Sequence, residues 1–260
     1  MSDRQRRVTR IATVAVAVVL VAAWKGYVEL FGVSPLLLPA PESVARAAGD
    51  LLGQGSTLHH TTVTLYEIVV GFGIAVGAGV VIGIVLGRMP AVERTVNPYL
   101  VALQVTPKVA LIPMLALWLG FGSASKVVVA AIFALLPLVM ATIAGVRSID
   151  ANHRDLLASL GASRWDTFRL LDLPSALPSV LTGMEVGVVL ATTGAIVGEF
   201  LGGNQGLGYL AVRSLNQLNV ARLFAIILLL CVLGYVLFMA VSMLRRSLVP
   251  WHESVTVLQQ

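Results

Sequence analysis

Six stretches of mostly apolar residues, roughly 11–31, 62–86, 98–119, 126–146, 179–200 and 220–244, each reach the length of about 20 residues that a helix needs to cross hydrocarbon. The runs are long and lack period-2 alternation, which argues against a transmembrane barrel. Helices satisfy their own backbone groups, so the chain reads as an all-α polytopic membrane protein with six transmembrane helices.

Composition supports lipid as the solvent. Apolar residues make up 57% of the 260 and charged residues 12%, about half the charge of a soluble domain. A globule so poor in charge would expose large apolar patches to water. Cytosolic enzymes, disordered chains and disulfide scaffolds are thereby excluded, and the single Cys231 says nothing of redox compartment. The net charge of +5 reads as arginines on one membrane face rather than as a nucleic-acid site.

Those arginines set the orientation. Arg4, Arg6, Arg7 and Arg10 precede the first span, and Arg88 and Arg94 separate the second from the third. Arg147, Arg154, Arg164 and Arg169 lie between the fourth and fifth, and Arg245 and Arg246 follow the sixth. Six spans put all four groups on one side, which the positive-inside rule makes cytoplasmic, with both termini. The outer segments hold only scattered Lys25, Arg46, Lys126, Arg213 and Arg222. The first apolar run fits either a retained helix, favoured by its continuation through Trp24, Tyr27 and Phe31, or a signal-peptide core. In the outer segment 32–60, Pro35, Pro39 and Pro41 give an extended start. An amphipathic helix then spans 42–52, with Val44, Ala48, Leu51 and Leu52 on one side, lying at the interface.

The second span is rich in glycine. Gly73 and Gly77, Gly79 and Gly83, and Gly83 and Gly87 are four apart, a spacing that lets helices approach closely in lipid. A second glycine group, between Gly198 and Gly208, lacks the Lys-Ser/Thr of a phosphate loop and reads as a break after the fifth span, re-entrant at the outer face.

The sharpest local signal lies in 147–178, which reads as two short helices. Asn152 caps the first, with Asp155 in its first turn. Leu156, Leu157 and Leu160 share an apolar face, and Gly161 ends the helix in a left-handed cap. Ser163 and Asp166 form an acidic capping box for the second helix, on which Trp165 and Phe168 share a face. Pro174 and Pro178 stop that helix before the fifth span. Such a hairpin either lies on headgroups or inserts as a knob into a partner's groove; the glycine fixed between two caps favours the knob.

In these residues the chain resembles the permease subunits of bacterial ABC importers, whose cytoplasmic "EAA" loop reads Glu-Ala-Ala-x3-Gly-x9-Ile-x-Leu-Pro. Asp155-Leu156-Leu157 stands at the first triplet, Gly161 is in register, Leu171 replaces the isoleucine, and Leu173-Pro174 match. Leu38-Pro39-Ala40-Pro41, residues 64–87 and 107–118, Gly120-Phe121-Gly122, Ser125-Lys126, and Glu199 followed by Gly206-Leu207-Gly208 look like the nitrate/sulfonate/taurine branch. The first triplet, Glu67 and Ala141 depart from its usual pattern. The resemblance covers roughly 36–244 and implies the type I (MetI-like) permease fold. It divides the chain into an N-terminal tail with the first helix and outer segment (1–61), a permease core (62–246) containing the coupling loop 147–178, and a cytoplasmic tail (247–260). It further implies a bacterial inner-membrane location, a homodimeric pathway, an extracytoplasmic binding protein that delivers the solute, and two ATPase subunits that bind ATP and Mg. The coupling residues are then Asp155, Leu156, Leu157, Leu160, Gly161, Ser163, Arg164, Trp165, Phe168 and Pro174.

Ionisable residues within spans are functional candidates because each is costly in lipid. Lys108, Glu185 and Glu199 are the possible pathway residues; Lys108 either attracts an anion or pairs with Glu185, and the alternative for Glu67 and Glu199 is a place at the interface. His59, His60, His153 and His252 read as solvated and without metal-ligand spacing, Cys231 as a small core residue, and Trp24, Trp118 and Trp251 as interface anchors. No catalytic constellation, metal site or cofactor of the chain's own is expected. The function the resemblance implies is import of a small oxyanion such as a sulfonate, taurine or nitrate. The alternatives are the same machinery carrying a vitamin precursor or other small organic solute, and an ion-gradient-driven secondary transporter. A secondary carrier would show paired broken helices in both halves, whereas the sequence shows a single glycine-rich break.

Overall fold

The computed structural model describes residues 3–249, with side chains from residue 11 onward except Ala151. The arginine side chains before residue 11, together with Trp251, His252 and the rest of 250–260, lie outside the described residues. Among the described residues, regular secondary structure is wholly helical.

A long first helix, α1 (Asp3–Leu30), is followed by a short amphipathic one, α2 (Pro41–Leu52). Next, α3 (Gly55–Arg88) runs for 34 residues, and α4 (Pro90–Val105) follows after a turn at Met89. A 3-10 turn (Lys108–Leu111) leads into α5 (Ile112–Leu119), and α6 (Ser123–Arg147) returns across the bundle. The hairpin helices α7 (Ala151–Ser159) and α8 (Arg164–Thr167) come next, and α8 passes through a π-turn (Phe168–Asp172) into α9 (Leu173–Gly202). The chain closes with α10 (Leu207–Asn216) and α11 (Val220–Leu248).

Five of these elements are long and apolar enough to span, and six if the bent pair Pro90–Val105 and Lys108–Leu119 counts as one. The stretch expected as the third span is bent, its two helical parts meeting at 80°. Pro107 has no N–H to continue the ladder, and Thr106, forced away from the α-region, takes φ −64°, ψ 131°.

At the centre, α6 lies between α3 and α9. Ile68, Ala130, Ala134, Leu138, Ala191 and Ala195 are wholly inaccessible and pack as one cluster. Small side chains bring the backbones close. A Cβ on Gly71 would lie 2.6 Å from the Val127 carbonyl, and one on Gly79 would lie 2.8 Å from Leu138 Cβ. Gly83 and Gly87 meet Thr142 and Val146 in the same way. The expected pairing is redistributed: Gly73 and Gly77 have open space beside them, because they lie on the other face of α3.

The outer segment differs from a free interface helix. Val44 and Leu51 of α2 are buried against Leu210, Ala211, Ala225 and Ile226 of α10 and α11, while Leu52 points outward. Most side chains of α1 from Ile11 on are exposed; its end is tied down by Trp24 against Phe224, with ring centroids 6.1 Å apart, and by Lys25, which bonds Glu42 of α2. Cys231 is exposed on α11 rather than held in a core.

Candidate functional site

Three constellations stand out: the hairpin at the arginine-rich end, a polar cluster at the opposite end, and a cleft between them.

The hairpin is built by local capping. Asp150, not Asn152, is the N-cap of α7, accepting from the Asn152 N–H at 3.0 Å. This shift moves Asp155 out of the first turn. At the other end Gly161, at φ +78°, closes α7 with its N–H on the Ala158 carbonyl and the Ala162 N–H on Leu157, a Schellman arrangement. Ser163 and Asp166 exchange side-chain and backbone bonds in a complete capping box for α8. Leu156, Leu160 and Trp165 are 57%, 73% and 67% exposed, whereas Leu157 is half-buried. Arg164 is also exposed, and Trp165 lies 5.5 Å from Phe168.

The prolines do not stop the second helix. It continues through the π-turn, in which the Leu173 N–H reaches the Phe168 carbonyl, into α9 with Pro174 in its first turn. The wider turn admits a residue that lacks an N–H without ending the helix. Within this joint, the sequence reading missed Asp172. It is buried and accepts from Arg88 of α3 at 2.5 Å and from Arg154 of α7 at 3.0 Å.

At the opposite end, Glu199 is 1% exposed rather than interfacial. Its carboxylate accepts from Thr64 Oγ1 at 2.7 Å and from the Gly208 N–H at 2.5 Å. Thr64 in turn accepts from the Leu207 N–H at 2.8 Å. Lys126, also buried, donates to the carbonyls of Phe121 and Gly202, closing the C-terminal end of α9 with a cation. Glu67 is buried beside them. Gly206 has φ +101°, and any side chain there would overlap the Glu199 carboxylate. His60 is not a solvated residue: its Nδ1 accepts from the Gly206 N–H at 3.0 Å. The glycine-rich break is thus a fixed turn, held to α3 by polar contacts.

Lys108 and Glu185 do not pair. Glu185 pairs with Arg245 of α11 at 3.1 Å. Lys108 lines a cleft of about 530 Å³ with Gln104 and Thr106 on one side and Phe133, Pro137 and Met140 of α6 on the other. Val186 and Leu190 of α9 complete that wall and also border a second hollow, of about 350 Å³, which contains Glu185. Lys108 is the cation among the residues that line that cleft.

This architecture, a bent-span helical bundle with a capped hairpin between its fourth and fifth spans, is that of a polytopic membrane permease. Residues 79–250 match the family described as binding-protein-dependent transport system inner membrane component. The chain is 35% identical to the formylaminopyrimidine transport permease protein ThiX of Halalkalibacterium halodurans, over 90% of this chain and 93% of that one. It is 30% identical to the putative aliphatic sulfonates transport permease protein SsuC of Bacillus subtilis, over 91% and 86%. Its fold is similar to a chain of the inward-facing MetNI methionine ABC transporter, with a TM-score of 0.58 at 18% identity, over 81% of this chain and 98% of that one. The chain belongs to the binding-protein-dependent transport system inner membrane component family and is a membrane-embedded permease subunit of an ABC importer.

Proposed function

We propose that two copies of this chain form one translocation pathway in a bacterial inner membrane, with both termini cytoplasmic. Each copy presents its hairpin to a cytoplasmic ATPase subunit, and an extracytoplasmic binding protein delivers the solute. ATP and Mg²⁺ bind to the ATPase subunits; this chain contributes no step of ATP chemistry. Closure of the ATPase pair pushes the two hairpins, and the bundles rock to alternate access. The observation that carries this reading is the hairpin itself: two caps make it rigid, and Leu156, Leu160 and Trp165 leave it as an apolar knob. The grouping of arginines at the same end supports its cytoplasmic placement.

The cargo we favour is a small oxyanion, because Lys108 is the cation facing the main cleft. A vitamin-precursor pyrimidine is the second reading, supported by the 35% identity to the formylaminopyrimidine permease. The test of the machine is co-purification with the ATPase subunit. Leu156→Asp charges the exposed face without disturbing the caps, and is expected to abolish association while the protein remains in the membrane. Undiminished association, or equal transport by that variant, would refute the docking role.

A further inference from the structure

We propose that Asp172 is a positioning residue that pins the hairpin helix α7 to the membrane bundle, so that a displacement of α7 reaches α3 and α9 together. The transport consequence rests on the function proposed above; the pin itself does not.

The geometry is specific. Asp172 sits at the last position of the π-turn, at the junction with α9, and is 6% exposed. Its Oδ2 accepts from Arg88, the final residue of α3, at 2.5 Å. Its Oδ1 accepts from Nε and Nη2 of Arg154 at 3.2 and 3.0 Å, so α7 is held by a two-pronged guanidinium contact. One carboxylate therefore joins residues 84 and 18 positions away in sequence. The backbone of α7 lies close to α8 and has few close neighbours among the membrane helices, and Arg154–Asp172 is an ion pair that ties its side to the bundle. A second line of contact converges on the same point: Trp165 packs on Phe168, and the Arg88 guanidinium lies 5.0 Å from the centre of the Phe168 ring.

The joint also has room to shift. A cavity of about 230 Å³ adjoins it, walled by Phe168, Asp172, Leu173, Thr142 and Val146. A close-packed junction would transmit only rigid-body motion. Here the π-turn holds an extra residue in its ring, and Phe168 and Leu173 border the empty volume. The carboxylate keeps α7, α3 and α9 in register while those side chains re-pack. Without it, two guanidinium groups face each other with no counter-ion between them. Loss of the acid is therefore worse than loss of either base, since each arginine alone leaves the other pair intact.

The experiment has two arms. In the first, spin labels are placed at exposed Ala91 and Ser159, with Cys231→Ser, in the purified chain. The native pin gives a narrow distance distribution; Asp172→Asn broadens it, and Asp172→Glu restores most of it. In the second, the reconstituted complex with its binding protein is assayed for solute moved per ATP hydrolysed. Asp172→Asn keeps its ATPase and hydrolyses ATP, but the ratio falls by about tenfold, within the usual range of coupling effects; Asp172→Glu retains most of it, and Arg88→Gln and Arg154→Gln fall less than Asp172→Asn. An unchanged distance distribution in Asp172→Asn overturns the pin whatever partner the hairpin meets. Broadening with an unchanged transport ratio overturns its role in coupling. A native complex in which no ATPase binds the hairpin refutes the proposed function instead, and leaves the first arm to decide the pin.

Discussion

The close approach of α3 to α6 leads to opposite signs for the same substitution on one helix. At Gly83 an added Cβ would press on Thr142 Cβ and stand 2.9 Å from the Val139 carbonyl oxygen, where about 3.4–4 Å is ordinary contact. Neither neighbour is the flexible end of a side chain, so the helices must part by roughly half an ångström to an ångström. Overpacking of this kind costs about 1–3 kcal/mol. At Gly73 a Cβ meets nothing within 4 Å, and alanine gains up to about 1 kcal/mol of helix propensity there. For a chain of this size about 1 kcal/mol corresponds to roughly 2–4 °C. Gly83→Ala is therefore expected to lower the midpoint of thermal unfolding by roughly 2–12 °C. Gly73→Ala should leave it unchanged or raise it. The assay is thermal unfolding of the purified chain in one detergent at one protein concentration. Equal losses at both positions would refute the packing assignment, because they would place another surface against the open face of α3.

Three further outcomes are expected. Thr64→Val strands the Leu207 N–H and removes a donor from Glu199; it should destabilise the chain by about 1–3 kcal/mol in detergent unfolding, and a variant as stable as the native chain would show that the outer turn is held elsewhere. Gly206→Ala combines a positive φ with a clash on the Glu199 carboxylate, so it should be more damaging than Gly161→Ala, whose Cβ has open space; the reverse order of unfolding midpoints would contradict this. Lys108→Gln removes a charge–charge attraction of about 1 kcal/mol or more and should weaken uptake of an anionic cargo roughly fivefold while sparing ATPase association; unchanged uptake would remove Lys108 from the pathway.

The parts of this protein that sequence made legible are those governed by near neighbours. Apolar run length located the spans, and the Ser163–Asp166 box and the left-handed Gly161 follow from residues a few positions apart. The cap of α7 slipped from Asn152 to Asp150 because either side chain suits that position and local chemistry does not choose between them. What needed three dimensions was lost. Glycine spacing marks small faces of α3 without naming the neighbour: Gly79, Gly83 and Gly87 meet α6, while Gly73 and Gly77 have open space within this chain. Run length marks 98–119 as one apolar stretch and does not show the 80° bend between Val105 and Lys108. Pro174 suggested a stop, which the π-turn avoids. The polar contacts of Asp172, of Glu199 with Thr64, and of Glu185 with Arg245 join residues far apart in sequence. A buried acid on an apolar helix identifies a position that needs a partner, without naming that partner.

The most direct measurement is a cryo-electron microscopy map of the chain purified with its ATPase subunit and nucleotide. The account predicts that Leu156, Leu160 and Trp165 lie in a groove of the nucleotide-binding subunit, on the side of the membrane that holds Arg88, Arg154 and Arg246. A map in which those three side chains contact only lipid or solvent, or stand on the face opposite the ATPase, would contradict it.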